Sequence, residues 1–263
     1  MDKTVALWKW LLLFILAVVL GFVGLVALNI WTDSIENYVL IVLGAVALLA
    51  LYWGGVRLIE KGPAKDLSLK RLVPHLGLGL LVGALFMGCV VGIIALCGCA
   101  SFAAGDCTGR EIAATCFLCL STAVGEETLF RGILFRWLDE RWGVVPALIV
   151  SGLLFGFLHL GNPNATVWSS VAIAIEAGLM LGAAYKWSGT LWFPIGIHWA
   201  WNYVQGTVFG IAVSGQDVGG SLWQTAMEGP KLITGGTFGA EASLVAVLLG
   251  AALTVFFLIR RHR

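Results

Sequence analysis

Apolar runs of membrane-spanning length recur along this chain at about residues 7–30, 38–56, 76–104, 112–135, 145–160, 168–187, 191–213 and 242–259, and they decide what it can fold into. A helix needs about 20 apolar residues to cross a hydrocarbon layer roughly 30 Å thick. Inside that layer the backbone has no water to bond, so an unbroken helix is the form that satisfies its N–H and C=O groups. With 59% hydrophobic and 12% charged residues, the chain lacks the charge that an ordinary soluble surface carries. The reading is an all-α polytopic membrane bundle of about eight transmembrane helices. Residues 1–263 form a single integral membrane domain, without a low-complexity tract or an internal repeat.

Lys3 and Lys9 precede the first run as in a signal peptide, but the run is too long for a cleavable apolar core and lacks a small-x-small site, so it reads as a retained anchor. Basic residues fill alternate loops: Arg57, Lys61, Lys65, Lys70 and Arg71, then Arg136 and Arg141, then Lys186, then Arg260, Arg261 and Arg263. The positive-inside rule therefore expects both termini in the cytoplasm of a bacterial or archaeal cell membrane. A net charge of +1, with no basic face interleaved with aromatics, excludes nucleic acid as a partner. Membrane lipid is the partner that this composition implies.

Most of the 12 tryptophans fall at span ends, as an interfacial belt does, whereas Trp199 and Trp201 flank His198 inside a span. Cys116 and Cys119 read as small apolar filling, and Cys97, Cys99 and Cys107 could pair near the third loop. Gly88/Gly92, Gly152/Gly156 and Gly178/Gly182 have the spacing that lets membrane helices approach closely. The glycine-rich segment 214–240 is too polar to span and reads as a loop, with covering the bundle's outer mouth as the alternative.

Against this background a few charges stand out. Glu126, Glu127 and Arg131 lie within six residues of an apolar run, and each costs roughly 2.5–3.5 kcal/mol at the bilayer centre unless paired, solvated or used. Glu127 and Arg131 are four apart on one helix face, acid before base, so they read as a structural ion pair. Glu126 points about 100° away and is left free of it. Rise per residue puts Glu126 and His159 about 20 Å into their spans, Asn202 about 18 Å and His198 about 12 Å, so the four can share one level. His198 and Asn202, again four apart, present together. Glu176 has no motif around it and reads as a packing or cavity acid.

Glu-Glu-x-x-x-Arg at 126–131, Phe-x-x-x-His at 155–159 and His-x-x-x-Asn at 198–202, in this order on successive apolar spans, resemble the three motifs of the CPBP family, also called the ABI family. That family comprises type II CAAX prenyl endopeptidases and bacteriocin-processing or immunity proteins. The likeness extends through Gly178–Gly182 and Ser188–Pro194 and covers about residues 112–205. It implies a glutamate-dependent intramembrane endopeptidase whose partner is a peptide or lipidated protein substrate, such as a CAAX-like tail, a leader peptide or a sorting peptide. Glu126 would then be the base, His159 would hold the water with it, and His198 and Asn202 would donate to the oxyanion. Glu127, Arg131 and Phe155 would support them. No cofactor is expected. The alternative makes Glu126, His159 and His198 ligands of a catalytic zinc, although the His-Glu-x-x-His signature is missing.

Other classes fare less well. A rhomboid-type serine protease would need a histidine after its serine, yet only His262 follows Ser214. A proton-coupled transporter would show repeats or broken helices. A non-catalytic bacteriocin-immunity or scaffold protein would carry the same residues and stays open at this stage.

Overall fold

The structure, a computed structural model, describes residues 35–260 apart from 218. The first expected span, with Trp8, Trp10 and Trp31, and the tail past Arg260 lie outside the described residues. The rest is a helical bundle: α1 (Ile35–Gly55), α2 (Leu69–Leu96), α3 (Gly109–Trp142), α4 (Val144–Leu158), α5 (Val167–Ser188), α6 (Trp192–Tyr203) and α7 (Leu244–Ile259). Among the described residues, five helices, counting α1 as Tyr38–Ile59 and α4 as Val144–Gly161, are long and apolar enough to cross a membrane. The last two, α6 and α7, are shorter. Leu43, Val46, Leu85, Leu153, Phe157 and Leu248 stay exposed on these helices, as lipid-facing side chains do. The protein is an integral membrane protein of all-α class.

Several boundaries differ from those expected. The apolar run 76–104 is not one helix: α2 stops at Leu96, Gly98 turns the chain at φ 72°, and Ala100–Ala104 continues as a strand. That strand, β1, pairs antiparallel with β2 (Trp223–Met227), with Ala100 opposite Met227 and Ala104 opposite Trp223. Hydropathy alone could not separate the two, since a short apolar strand and a helix end look alike. In the other direction, α3 runs past the expected Phe135 to Trp142. It starts on a capping box in which Thr108 and Glu111 each bond the other's backbone N–H.

The helix ends gather into two layers. At one, the Tyr52 hydroxyl donates to Asp66 and to Gly132 O, Tyr185 also donates to Asp66, Leu191 N bonds Asp66 O, and Lys186 pairs with Asp139. At the other, Glu228 N bonds Cys99 O, Trp168 Nε1 donates to Ala242 O, and the 214–215 turn is tied to the segment after α4. The candidate site lies beneath this second end.

Glycines set how closely the helices pack, though not all those expected to. A Cβ on Gly79 would lie 2.3 Å from Phe193 O, and one on Gly83 would lie 2.2 Å from Ile197 O, so α2 presses backbone to backbone on α6 beside His198. Gly152 and Gly178 meet each other between α4 and α5 in the same way, and Gly156 meets Ser170 O. A Cβ on Gly88 or Gly92, by contrast, would meet nothing within 4 Å among the described residues. Gly83→Ala should therefore cost about 1–3 kcal/mol by forcing the helices apart. A lowered thermal midpoint in detergent, with Gly88→Ala unchanged, is the expected result; equal midpoints would contradict the close approach.

Candidate active site

Glu126 and Glu127 are the last residues of the regular α part of α3, which widens to π-type over Thr128–Phe135. Apart from Val56–Glu60 after α1, the π-type stretches among the described residues are this one, Ala174–Leu179 in α5 and Val204–Val208 immediately after α6. All three adjoin residues of the site, and π-bulges concentrate at such places because they re-aim side chains and free backbone groups.

On α3, Arg131 Nη1 donates to Glu127 Oε1 at 2.8 Å. Its Nη2 reaches across to the carbonyls of Ala177 and Gly178 at 3.0 and 3.2 Å. Glu127 is 0% and Arg131 1% exposed, so the pair is fully desolvated and survives only because these bonds surround it. The expected ion pair is present. It does more than fix the helix, because the same Glu127 oxygen lies 2.9 Å from Nδ1 of His198. An oxygen that already accepts from a guanidinium is an acceptor here too, so His198 Nδ1 carries a proton. The other ring nitrogen, Nε2, lies 3.9 Å from Glu126 Oε2. That Glu126 oxygen is buried and has no hydrogen-bond partner among the described residues.

His159 ends α4 and opens a short 3-10 turn. Its Nδ1 lies 2.7 Å from Phe155 O; a carbonyl can only accept, so Nδ1 is protonated and Nε2 is the nitrogen left for other partners. The Phe155 ring is the common surface of the three motifs. It packs edge-on to Phe130, lies under the Arg131 guanidinium at 4.7 Å, and stands 4.8 Å from His159 and 6.4 Å from His198.

Phe155, His159, His198 and Asn202 line one small cavity, whose volume, counted as room for the centre of a water molecule, is about 10 Å³. That suffices for about one water and for no peptide. Glu126 is not in its wall and meets it through His198; no ion pair or hydrogen bond joins Glu126 to His159. Trp201 lines the cavity, whereas Trp199 turns away and donates to Cys116 O.

Sequence reasoning missed two polar residues of that wall, Ser214 and Glu241. The 214–240 segment reads in sequence as a loop, with covering the bundle's outer mouth as the alternative; its first residue, Ser214, lines the cavity. Ser214 sits at φ 50°, accepts from Asn162 Nδ2 on its carbonyl at 3.1 Å, and donates its N–H to Glu241 Oε1. Burial pushes the Glu241 carboxyl up to about 7, against the bonds from Ser214 that favour its charge. The available signal was Glu241 itself, a lone acid at the edge of an apolar run. Glu176, on the π-type part of α5, is fully buried under Gly250 with neither oxygen partnered among the described residues, but it does not line the cavity.

Among the described residues no three His, Cys, Asp or Glu side chains converge to hold an ion, so Glu126, His159 and His198 do not form the alternative zinc set in this geometry. Cys97, Cys99 and Cys107 are likewise unpaired.

No curated protein and no solved structure matches the chain. The family model described as type II CAAX prenyl endopeptidase Rce1-like matches residues 108–204, a stretch that contains Glu126, Glu127, Arg131, Phe155, His159, His198 and Asn202. Over residues 108–204 the chain is thus similar to the type II CAAX prenyl endopeptidase Rce1-like family model, the kind of protein that its three motifs resemble.

Proposed function

We propose that the protein is an intramembrane endopeptidase that cleaves peptide bonds of membrane-associated substrates, such as prenylated CAAX-like tails, with Glu126 as the base. The observation that carries this reading is the pair of carboxylates on His198. Glu127 holds its Nδ1 and is itself held by Arg131, while Glu126 offers an unpartnered oxygen on the Nε2 side. A buried acceptor without a protein partner is costly unless something else supplies the proton, and an attacking water does so.

In the reaction, Glu126 takes a proton from water as its oxygen attacks the scissile carbonyl, with His159 Nε2 accepting from the same water. The tetrahedral oxyanion receives hydrogen bonds from the His198 ring and the Asn202 amide. The ring can donate through Nε2 while Nδ1 is bonded to Glu127 only when it carries both protons, a charge that the two flanking carboxylates offset. Burial strengthens these donors because no water competes with them. Phe155 and Arg131 act indirectly, by fixing the two imidazoles.

Both termini would face the cytoplasm, which sets the cavity toward the opposite side of the bilayer, and no nucleic acid takes part. Comparing the peptides of membranes that hold wild type or Glu126→Gln tests the reading. Full-length substrates should accumulate only with the variant, and identical peptide profiles would defeat it.

The donors can be tested separately from the base. Asn202→Ala should lower the rate by about 10²–10³ with no change in metal content. Elemental analysis of active protein should find no stoichiometric zinc; about one zinc per chain, lost with activity in His159→Ala, would overturn the metal-free mechanism.

A further inference from the structure

Hydrolysis by Glu126 includes a second proton transfer, to the leaving nitrogen, which Glu126 itself or a separate acid can supply. The base gains a proton, while the departing nitrogen needs one as the C–N bond breaks, and a positioned acid there is worth about 10²–10⁴ in rate. Glu241 places a carboxyl in the cavity wall. It belongs to none of the three motifs and comes from the turn preceding α7, yet it lines the same cavity as His159, His198 and Asn202 and is 1% exposed. Its Oε1 accepts from Ser214 N–H, and Ser214 closes the same cavity. The carboxyl is therefore aimed by a segment outside the Glu127–Arg131–His198 network.

The titratable groups around it are His198 from α6, His159 from α4, and Glu176 from α5, which is buried within electrostatic reach. Burial favours the protonated carboxyl that a donor needs and outweighs Ser214, His198 and Gln205, which favour the anion. Two carboxyl groups in unlike surroundings at one site are the usual arrangement for dividing acid from base.

We propose that Glu241 is the general acid of the reaction, protonating the leaving amine. The proposal rests on the endopeptidase reading. As the tetrahedral intermediate collapses, the oxyanion lone pair re-forms C=O and the C–N bonding pair passes to nitrogen. The nitrogen takes the Glu241 proton, giving a free carboxylic acid and an amine. Glu126 then holds the proton from water and Glu241 is anionic; transfer of that proton from Glu126 to Glu241 restores both, and no further reactant is consumed.

The test uses the full chain in liposomes with two probes, a farnesylated CAAX peptide and the same peptide with its scissile amide replaced by an ester. An alkoxide leaves far more readily than an amide anion. Glu241→Gln, which keeps an acceptor for Ser214 N–H, should therefore lose about 10²–10⁴ in rate on the amide and far less on the ester. Equal losses on both probes, or no loss on either, would overturn the assignment. Should Glu241→Gln not fold, Glu241→Asp allows the same comparison, with an amide-selective loss expected. A wild type that cuts neither probe, or a Glu126→Gln variant as active as wild type on both, would instead defeat the endopeptidase reading, and Glu241 with it.

Discussion

Glu126→Gln lowers peptide cleavage by about 10²–10⁴ and leaves the thermal midpoint of the purified protein unchanged. This expectation follows from where the residue stands. Its Oε2 has no protein hydrogen bond to lose, and its nearest basic neighbour, His198 Nε2, is 3.9 Å away, too far for a structural bond. Gln matches Glu in size but cannot take a proton from water. Cleavage of a farnesylated peptide in liposomes, measured beside a melting curve, separates the two effects. Wild-type turnover by the variant would remove Glu126 as base, and a collapsed midpoint would show it to be structural.

Glu127→Gln should behave differently, losing stability and activity together. It strips the charge partner from a guanidinium that is 1% exposed, and breaking one side of a buried pair typically costs about 3–5 kcal/mol. It also weakens the acceptor that holds His198 Nδ1. The double variant Glu127→Gln/Arg131→Met separates these roles. Removing the stranded charge should recover much of the midpoint, while activity stays low because His198 is no longer held. A double variant with restored turnover would mean that Glu127 matters only as Arg131's counter-charge.

The contrast between the two adjacent glutamates shows how far local sequence reaches. Spacing of four along one helix was enough to pair Glu127 with Arg131, since both ends of that contact lie on α3 and helix geometry is the same in any fold. The bond from Glu127 to His198 joins residues 71 apart and had no local signature. Glu241 is a similar case, because a single acid at the edge of an apolar run says nothing of the cavity it lines until α7 packs against α5. The strand at Ala100–Ala104 was hidden for a different reason: its partner, Trp223–Met227, lies in a segment whose glycines and polar residues read as a loop.

What the sequence determined by itself is therefore what depends on short-range periodicity and on the bilayer. Apolar length forces helices, the cost of burying charge marks Glu126, Glu127 and Arg131, and residues four apart share a face. Tertiary structure alone decided which imidazole nitrogen meets which carboxylate, which glycines let backbones touch, where the helices widen to π-type turns, and that Ser214 and Glu241 close the cavity. These features arise from contacts between helices distant in the chain, where packing in a dense interior selects one arrangement from many that share the same hydropathy.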